Sequence, residues 1–190
     1  MIKKLYFVTT SLLKFQQVKE WIYELDPSIV IEQKVLDIPE IQSLNLEEVA
    51  LEKAKIAYQI TKCPILVDDE GLYLEQYNNF PGPLTKYVFH GIGAAGLWKL
   101  TANNPRSYFK NCLIYIDGHD SYKIFTGICK GKLVEPAGAN QNWFNTFIPD
   151  NIKSTNTILY NLPTKSKNIH QRHKSLISFF EWFQEHQLNQ

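Results

Sequence analysis

The first 74 residues alternate between two hydrophobic periods, in the order strand, helix, strand, helix, strand, and this alternation constrains the fold most. "KLYFVTT" (4–10) is a short apolar run rich in aromatic and β-branched residues, as a buried strand requires. Leu12, Phe15, Val18, Trp21, Ile22 and Leu25 then recur at helical spacing, with Ser11 as candidate N-cap and Pro27 just past the end. "SIVIEQKVL" (28–36) is a second strand, and "DIPEIQS" (37–43) a loop. "NLEEVALEKAKIAYQIT" (45–61) is a second helix, with Asn45 as cap and acids in its first turn, where the helix dipole favours them. "PILVDD" is a third strand, expected to end on its carboxylates, with "GLYLEQY" continuing as extended chain.

After the turn "NNFPGP" (78–83), the pattern predicts short helices over 84–90 and 94–101. "SYFKNCLIYID" and "SYKIFTGICKGKLVE" are two long β-type runs joined by "GHD", a hairpin pattern. "KNIHQRHKSLISFFEWFQEH" (167–186) is a closing helix. The expected fold is α/β, a mixed twisted sheet with flanking helices in two lobes with a cleft between them, in a single domain over 1–190.

Bulk composition removes several function classes. With 44% hydrophobic residues the chain can build a substantial core, and a net charge of +1 gives no field that would favour nucleic acid or an acidic membrane. Cys63, Cys112 and Cys129 form no CxxC pair, which argues against a disulfide framework or zinc ribbon and suits a reducing compartment. Lys14 interrupts the apolar N-terminal run and no stretch reaches the roughly 20 residues of a membrane span. A soluble cytoplasmic protein is the expectation, with no nucleic-acid or membrane partner.

Three segments carry chemistry. In "FVTTSLLK" a strand runs through Thr9, Thr10 and Ser11 into a helix, so backbone N–H groups, hydroxyls and Lys14 converge on one anion site; Ser11 acting only as a helix cap is the plainer alternative. Glu40 lies in a loop before Lys53 on the second helix. In "LVDDEGL", Asp68, Asp69 and Glu70 follow a buried strand, where open α/β sheets place ligands. Three adjacent acids fit either a solvated turn or a magnesium site built from hard oxygen donors. "GIGAAG" (91–96) matches GxGxxG but follows no strand, so glycine turns between short helices account for it. His170 and His173 share one helix without an evident third ligand, and His173 falls on the apolar stripe, so packing is its expected role.

Taken in order, these motifs resemble the inosine triphosphate pyrophosphatase family. "YFVTTSLLK" is similar to its strand and Thr-Gly-Asn-x-x-Lys turn, and "PEIQS" with "LEEVALEKAK" to its acidic loop and second helix. "LVDDEGL" is similar to its Asp-Asp-Ser-Gly-Leu signature, "FPGP" to its Pro-Gly loop, and "IFTGICKGKL" to its hairpin. The resemblance implies a two-lobed α/β fold, a homodimer, and magnesium-dependent cleavage of nucleoside triphosphates between the α- and β-phosphates, on deaminated purines such as ITP, dITP and XTP. It further implies that Asp69 is general base and metal ligand, with Glu40 and Asp68 as supporting metal carboxylates. Thr9, Thr10, Ser11, Lys14 and Lys53 would hold the triphosphate, with Glu70 beside it. Trp143, Lys167, Gln171 and Arg172 would meet the base.

The sequence also departs from that pattern. Thr10 stands where the family has glycine, and a β-branched residue is strained there if φ must be positive. Glu70 replaces a serine, Phe144 in "QNWF" replaces an aspartate, and "HQR" (170–172) replaces Ser-His-Arg. The phosphate and metal half is kept and the base-reading half rewritten, which implies altered base choice. A weakened or silent relative that binds nucleotide or a protein partner is the competing expectation.

Overall fold

The computed structural model describes residues 3–101, 103–118, 121–136, 146–150, 152 and 164–187. Strand β1 (Lys3–Val8) leads into helix α1 (Leu12–Leu25), whose N-cap Ser11 accepts a hydrogen bond from Lys14 N at 3.3 Å. Val18, Trp21 and Ile22 form its buried stripe. Strand β2 (Ile29–Lys34) returns parallel to β1. Helix α2 (Leu46–Thr61) starts at Asn45, whose side chain accepts from Glu47 N and Glu48 N. Its Ala50, Ala54 and Ala57 present little bulk at helical spacing, which lets the helix lie close against the sheet.

Strand β3 (Ile65–Leu74) is where structure and sequence expectation part. It does not end on its carboxylates but runs through them, paired antiparallel with β5 (Arg106–Ile116) from Ile65↔Ile116 to Leu74↔Ser107. Only the parallel pairing with β1 stops short, at Val67↔Val8, so Asp68 is the first residue beyond the end of β1. The acids therefore stand at the carboxyl edge of the parallel part while remaining inside a continuous strand.

The second half of β3 pairs with β4 (Phe80–Gly82), and β6 (Tyr122–Leu133) and β7 (Phe147–Pro149) extend the sheet beyond β5 in the order β2-β1-β3-β5-β6-β7. Gly71 is obligatory here: a Cβ would lie 2.4 Å from Gly82 O. Helix α3 (Thr85–Leu100) is broken at Gly93 (φ 66°, ψ −176°), which gives the two short helices expected from "GIGAAG". Helix α4 (Gln171–Gln187) follows a 3-10 turn over Thr164–Ile169 and packs on β5 and β6.

Three apolar clusters fill this frame. One joins Leu5, Phe7 and Leu66 of the sheet to α1 and α4, through Val18, Ile22, Leu176 and Phe179. A second lies on the opposite face, between Val8, Ile65, Val67 and Ile114 and helix α2. The third forms the smaller lobe, around Leu72, Leu74, Leu97, Phe109 and Phe147. The long strands β3, β5 and β6 are shared by both lobes, and residues 68–71 of β3 occupy the waist between them. No helix among the described residues is long and apolar enough to cross a membrane.

Candidate active site

Side chains alternate faces along a strand, so three consecutive acids on β3 cannot share one environment. Leu66 packs toward α1 and α4 while Val67 packs toward α2. Asp68 and Glu70 follow Leu66, and Asp69 follows Val67.

On the α1/α4 side, Asp68 and Glu70 enter a largely buried ion-pair network. Arg172, at the start of α4, donates from Nε to Asp68 Oδ2 at 2.8 Å, from Nη2 to Glu70 Oε1 at 2.5 Å, and from Nη1 to Gln17 Oε1 at 2.7 Å. Lys14 Nζ lies 3.4 Å from Asp68 Oδ1 and 3.3 Å from Glu70 Oε1. Asn111 adds a bond to Asp68 Oδ2 at 2.8 Å and is itself held by Ser175 Oγ at 2.5 Å, while Gln171 Nε2 donates to Glu70 Oε2 at 3.1 Å. Burial opposes ionisation of both acids, but the Lys14 and Arg172 charges overcome it and hold both carboxyls below the usual range.

Asp69 is in a different situation. Its Oδ1 accepts from Glu70 N at 2.8 Å, and it makes no ion pair among the described residues. Burial pushes its carboxyl up to about 6, with Lys14 and Lys53 pulling down and Glu40 adding to the rise. Glu40 is bound by Lys53 Nζ at 2.8 Å; burial raises its carboxyl, but the lysine contacts prevail and hold it below its ordinary value.

These groups line one cleft of about 430 Å³, a size that suits a small ligand. Thr9, Thr10, Ser11 and Lys14 form one wall, Glu40 and Lys53 a second, and Asp68, Asp69 and Glu70 the floor. Thr10 does not have a positive φ, so the strain expected for a β-branched residue at this turn does not arise. Thr9 Oγ1 accepts from Ser11 N at 3.1 Å, which shapes the loop ahead of the α1 N-terminus.

Other predicted residues lie elsewhere. Gln171 and Arg172 are buried behind the floor, outside the cleft lining, and Lys167 is ion-paired with Glu24 of α1. Trp143 and Phe144 lie outside the described residues. His170 and His173 pack on Trp21 with ring centroids 5.3 and 5.1 Å away, the packing role expected of His173. Lys86 was not singled out from sequence: it lines the cleft at the first turn of α3, and its charge reaches Glu40. Its signal was a lysine three residues past the "FPGP" turn, where helix α3 begins.

Comparison with known proteins bears on the family and the fold. The Ham1 family model matches residues 5–182. A dITP/XTP pyrophosphatase of Methanopyrus kandleri is 34% identical over 184 residues, covering 95% of this chain and 96% of that one. The dITP/XTP pyrophosphatase of Thermococcus kodakarensis is 34% identical, covering 96% and 98%. An inosine triphosphate pyrophosphatase of Schizosaccharomyces pombe is 33% identical, covering 81% and 82%. Among solved structures, a HAM1 protein from Coxiella burnetii superimposes with a TM-score of 0.75 at 19% identity, covering 96% of this chain and 99% of that one. With the family model spanning nearly the whole sequence and the fold shared with a solved HAM1 protein, this chain belongs to the Ham1 family, the inosine triphosphate pyrophosphatase family its motifs resemble.

Proposed function

We propose that the chain is a nucleoside-triphosphate pyrophosphatase that hydrolyses (d)NTP to (d)NMP and pyrophosphate. Deaminated purine nucleotides such as ITP, dITP and XTP are its expected substrates, in clearing the nucleotide pool. The observation that carries this reading is Asp69, a cleft carboxylate without an ion-pair partner among the described residues, facing basic walls that contain Lys14, Lys53 and Lys86. The names of the curated relatives support the substrate class.

The residues present fit magnesium. Asp69 and Glu40 offer hard oxygens in one cleft, and one or two carboxylates with water and phosphate oxygens are the usual magnesium environment. Asp68 fits less well, because Arg172, Asn111 and Lys14 already engage its oxygens; it supports the floor instead. Bound there, the ion would neutralise phosphate charge and make water a better nucleophile. The chain's own part follows from the geometry. Backbone N–H groups at the α1 N-terminus, Lys14, Lys53 and Lys86 hold and orient the triphosphate. Asp69, with a carboxyl near 6, is ionised at neutral pH yet basic enough to take a proton from an attacking water. The water oxygen bonds to phosphorus, the bridge between the α- and β-phosphates breaks, and pyrophosphate leaves.

Release of pyrophosphate from a panel of ITP, dITP, XTP and the four standard triphosphates, with and without magnesium, tests the proposal. No release from any of them, with Asp69→Asn behaving like the unaltered protein, would remove it. A silent nucleotide binder is favoured by one observation, the compensation of Lys14 by Asp68 and Glu70. Thermal stabilisation by ITP without product would establish it. The same reading includes a homodimer, checked by sedimentation, and a cytoplasmic location, in keeping with three free cysteines.

A further inference from the structure

The four charges clustered at the cleft floor, Lys14, Asp68, Glu70 and Arg172, are unequal in freedom. Arg172 has a side chain 2% exposed and spends Nε, Nη1 and Nη2 on Asp68, Gln17 and Glu70. Asp68 is 1% exposed and is further fixed by Asn111, which Ser175 anchors to α4. Lys14 differs: it is 22% exposed, stands on the cleft wall, and its contacts at 3.3 and 3.4 Å are the longest in the network. Arg172 and Lys14 each contact both acids, so the two cations are balanced only while Asp68 and Glu70 are both charged, and Glu70, at 3.3 Å, is one of the two carboxylates that engage Lys14. An incoming polyphosphate therefore meets a lysine whose charge is already engaged.

We propose that Glu70 is an internal competitor for the substrate's phosphates, holding Lys14 until a triphosphate draws it away and so setting the affinity of the cleft. This rests on the pyrophosphatase reading for the identity of the ligand, but not on turnover. Removing the Glu70 charge leaves Lys14 and Arg172 opposite Asp68 alone, a net positive floor, and polyphosphate binding tightens. The substitution Glu70→Gln is compatible with the surroundings. Its amide oxygen can accept from Arg172, and its amide nitrogen can donate to Gln171 Oε1, a buried acceptor without a hydrogen-bond partner among the described residues, once the Gln171 amide turns.

The experiment is calorimetric titration of inorganic tripolyphosphate into metal-free protein, at two salt concentrations. Glu70→Gln is expected to bind about tenfold tighter, with a steeper salt dependence, because one more cation is free to meet the anion. In a Lys14→Met background the effect of Glu70→Gln should largely vanish, which a merely structural role for Glu70 would not produce. Equal or weaker binding by Glu70→Gln in a protein of unchanged circular dichroism overturns the proposal. So does a gain that persists without Lys14, or no binding by either protein. If Glu70→Gln does not fold, Glu70→Ser is titrated in its place under the same criteria. Pyrophosphate release from ITP is scored separately, so failure of the enzymatic reading shows as absent product whatever the titration gives.

Discussion

Replacing Asp69 by Asn should abolish turnover and, in metal-free protein, raise stability. Asp69 is the carboxylate whose folded-state ionisation is opposed by its site: burial lifts it from 3.8 to about 6. A raised carboxyl means that the folded state binds more protons than the unfolded chain between these values, so stability present at low pH is lost as pH rises through about 6. The rise from 3.8 to about 6 corresponds to roughly 3 kcal/mol at pH 8 and, by the same linkage, to about half of that at pH 5. The cleft is open to water, which screens part of this, so a gain of about 1–2 kcal/mol at pH 8 is expected. For a chain of this length that is about 2–8 °C in Tm. The asparagine keeps the bond its Oδ1 accepts from Glu70 N, so the comparison isolates the charge.

The assay is thermal unfolding of both proteins in chelator at pH 5 and pH 8, then again with magnesium. Asp69→Asn should melt higher at pH 8, by a margin that shrinks at pH 5. Magnesium should stabilise the unaltered protein more than the variant, narrowing or reversing the gap. An Asp69→Asn protein that melts no higher at pH 8, or whose advantage grows on acidification, refutes the reasoning. The opposition between stability and chemistry at this residue would then be absent.

Arg172→Met should cost about 3–5 kcal/mol in urea unfolding, because it leaves Asp68 and Glu70 buried against one remaining cation, Lys14. Gly71→Ala should lower Tm clearly and reduce soluble yield, since the added methyl meets Gly82 backbone atoms at 2.4 and 2.5 Å and β3 must shift against β4. His170 is pushed down to about 3, chiefly by burial and then by Arg172. Its folded value lies below its unfolded 6.5, so its stability contribution is present above pH 6.5 and lost below it, by up to about 1.4 kcal/mol per pH unit. His170→Asn, which can still accept from Arg172 N, should therefore flatten the decline of the urea midpoint between pH 6.5 and 4.5.

Local signals made much of this molecule legible. Ser11 and Asn45 cap the helices they were expected to cap, because a cap is decided within three residues of chain. The glycine break in α3 and the alternation of strands and helices were readable for the same reason. The continuity of β3 was not, since three acids in a row look locally like a turn. What keeps them in a strand is remote in sequence: β5 opposite them, with Asn111, and Arg172 about a hundred residues on. Arg172 was expected to face a base and instead lies behind the floor, because its partner Glu70 can be recognised only once α4 is placed against β3. Lys86 was overlooked because nothing in the sequence says that two helix N-termini face one cleft.

The strand period explains why an acidic trio can be tolerated at all. Adjacent carboxylates on one surface would raise one another's pKa, and burial would worsen this. On β3 the middle acid is turned away from its neighbours: Arg172 and Lys14 pair directly with Asp68 and Glu70, while Asp69 feels Lys14 and Lys53 without an ion pair to either. The two faces then make opposite use of the charge. Complete compensation on one side fixes α1 and α4 to the sheet, and incomplete compensation on the other leaves Asp69 basic and open to a cation. A slip of one residue in the β3–β5 register would exchange the faces, putting Asp69 against Arg172 and turning Asp68 and Glu70 toward the α2 side. Both the packing of α4 and the unpaired position of Asp69 would be lost together. The long uninterrupted β3–β5 ladder, which pins that register on both sides of the waist, is thus as much a part of the site as the acids it carries.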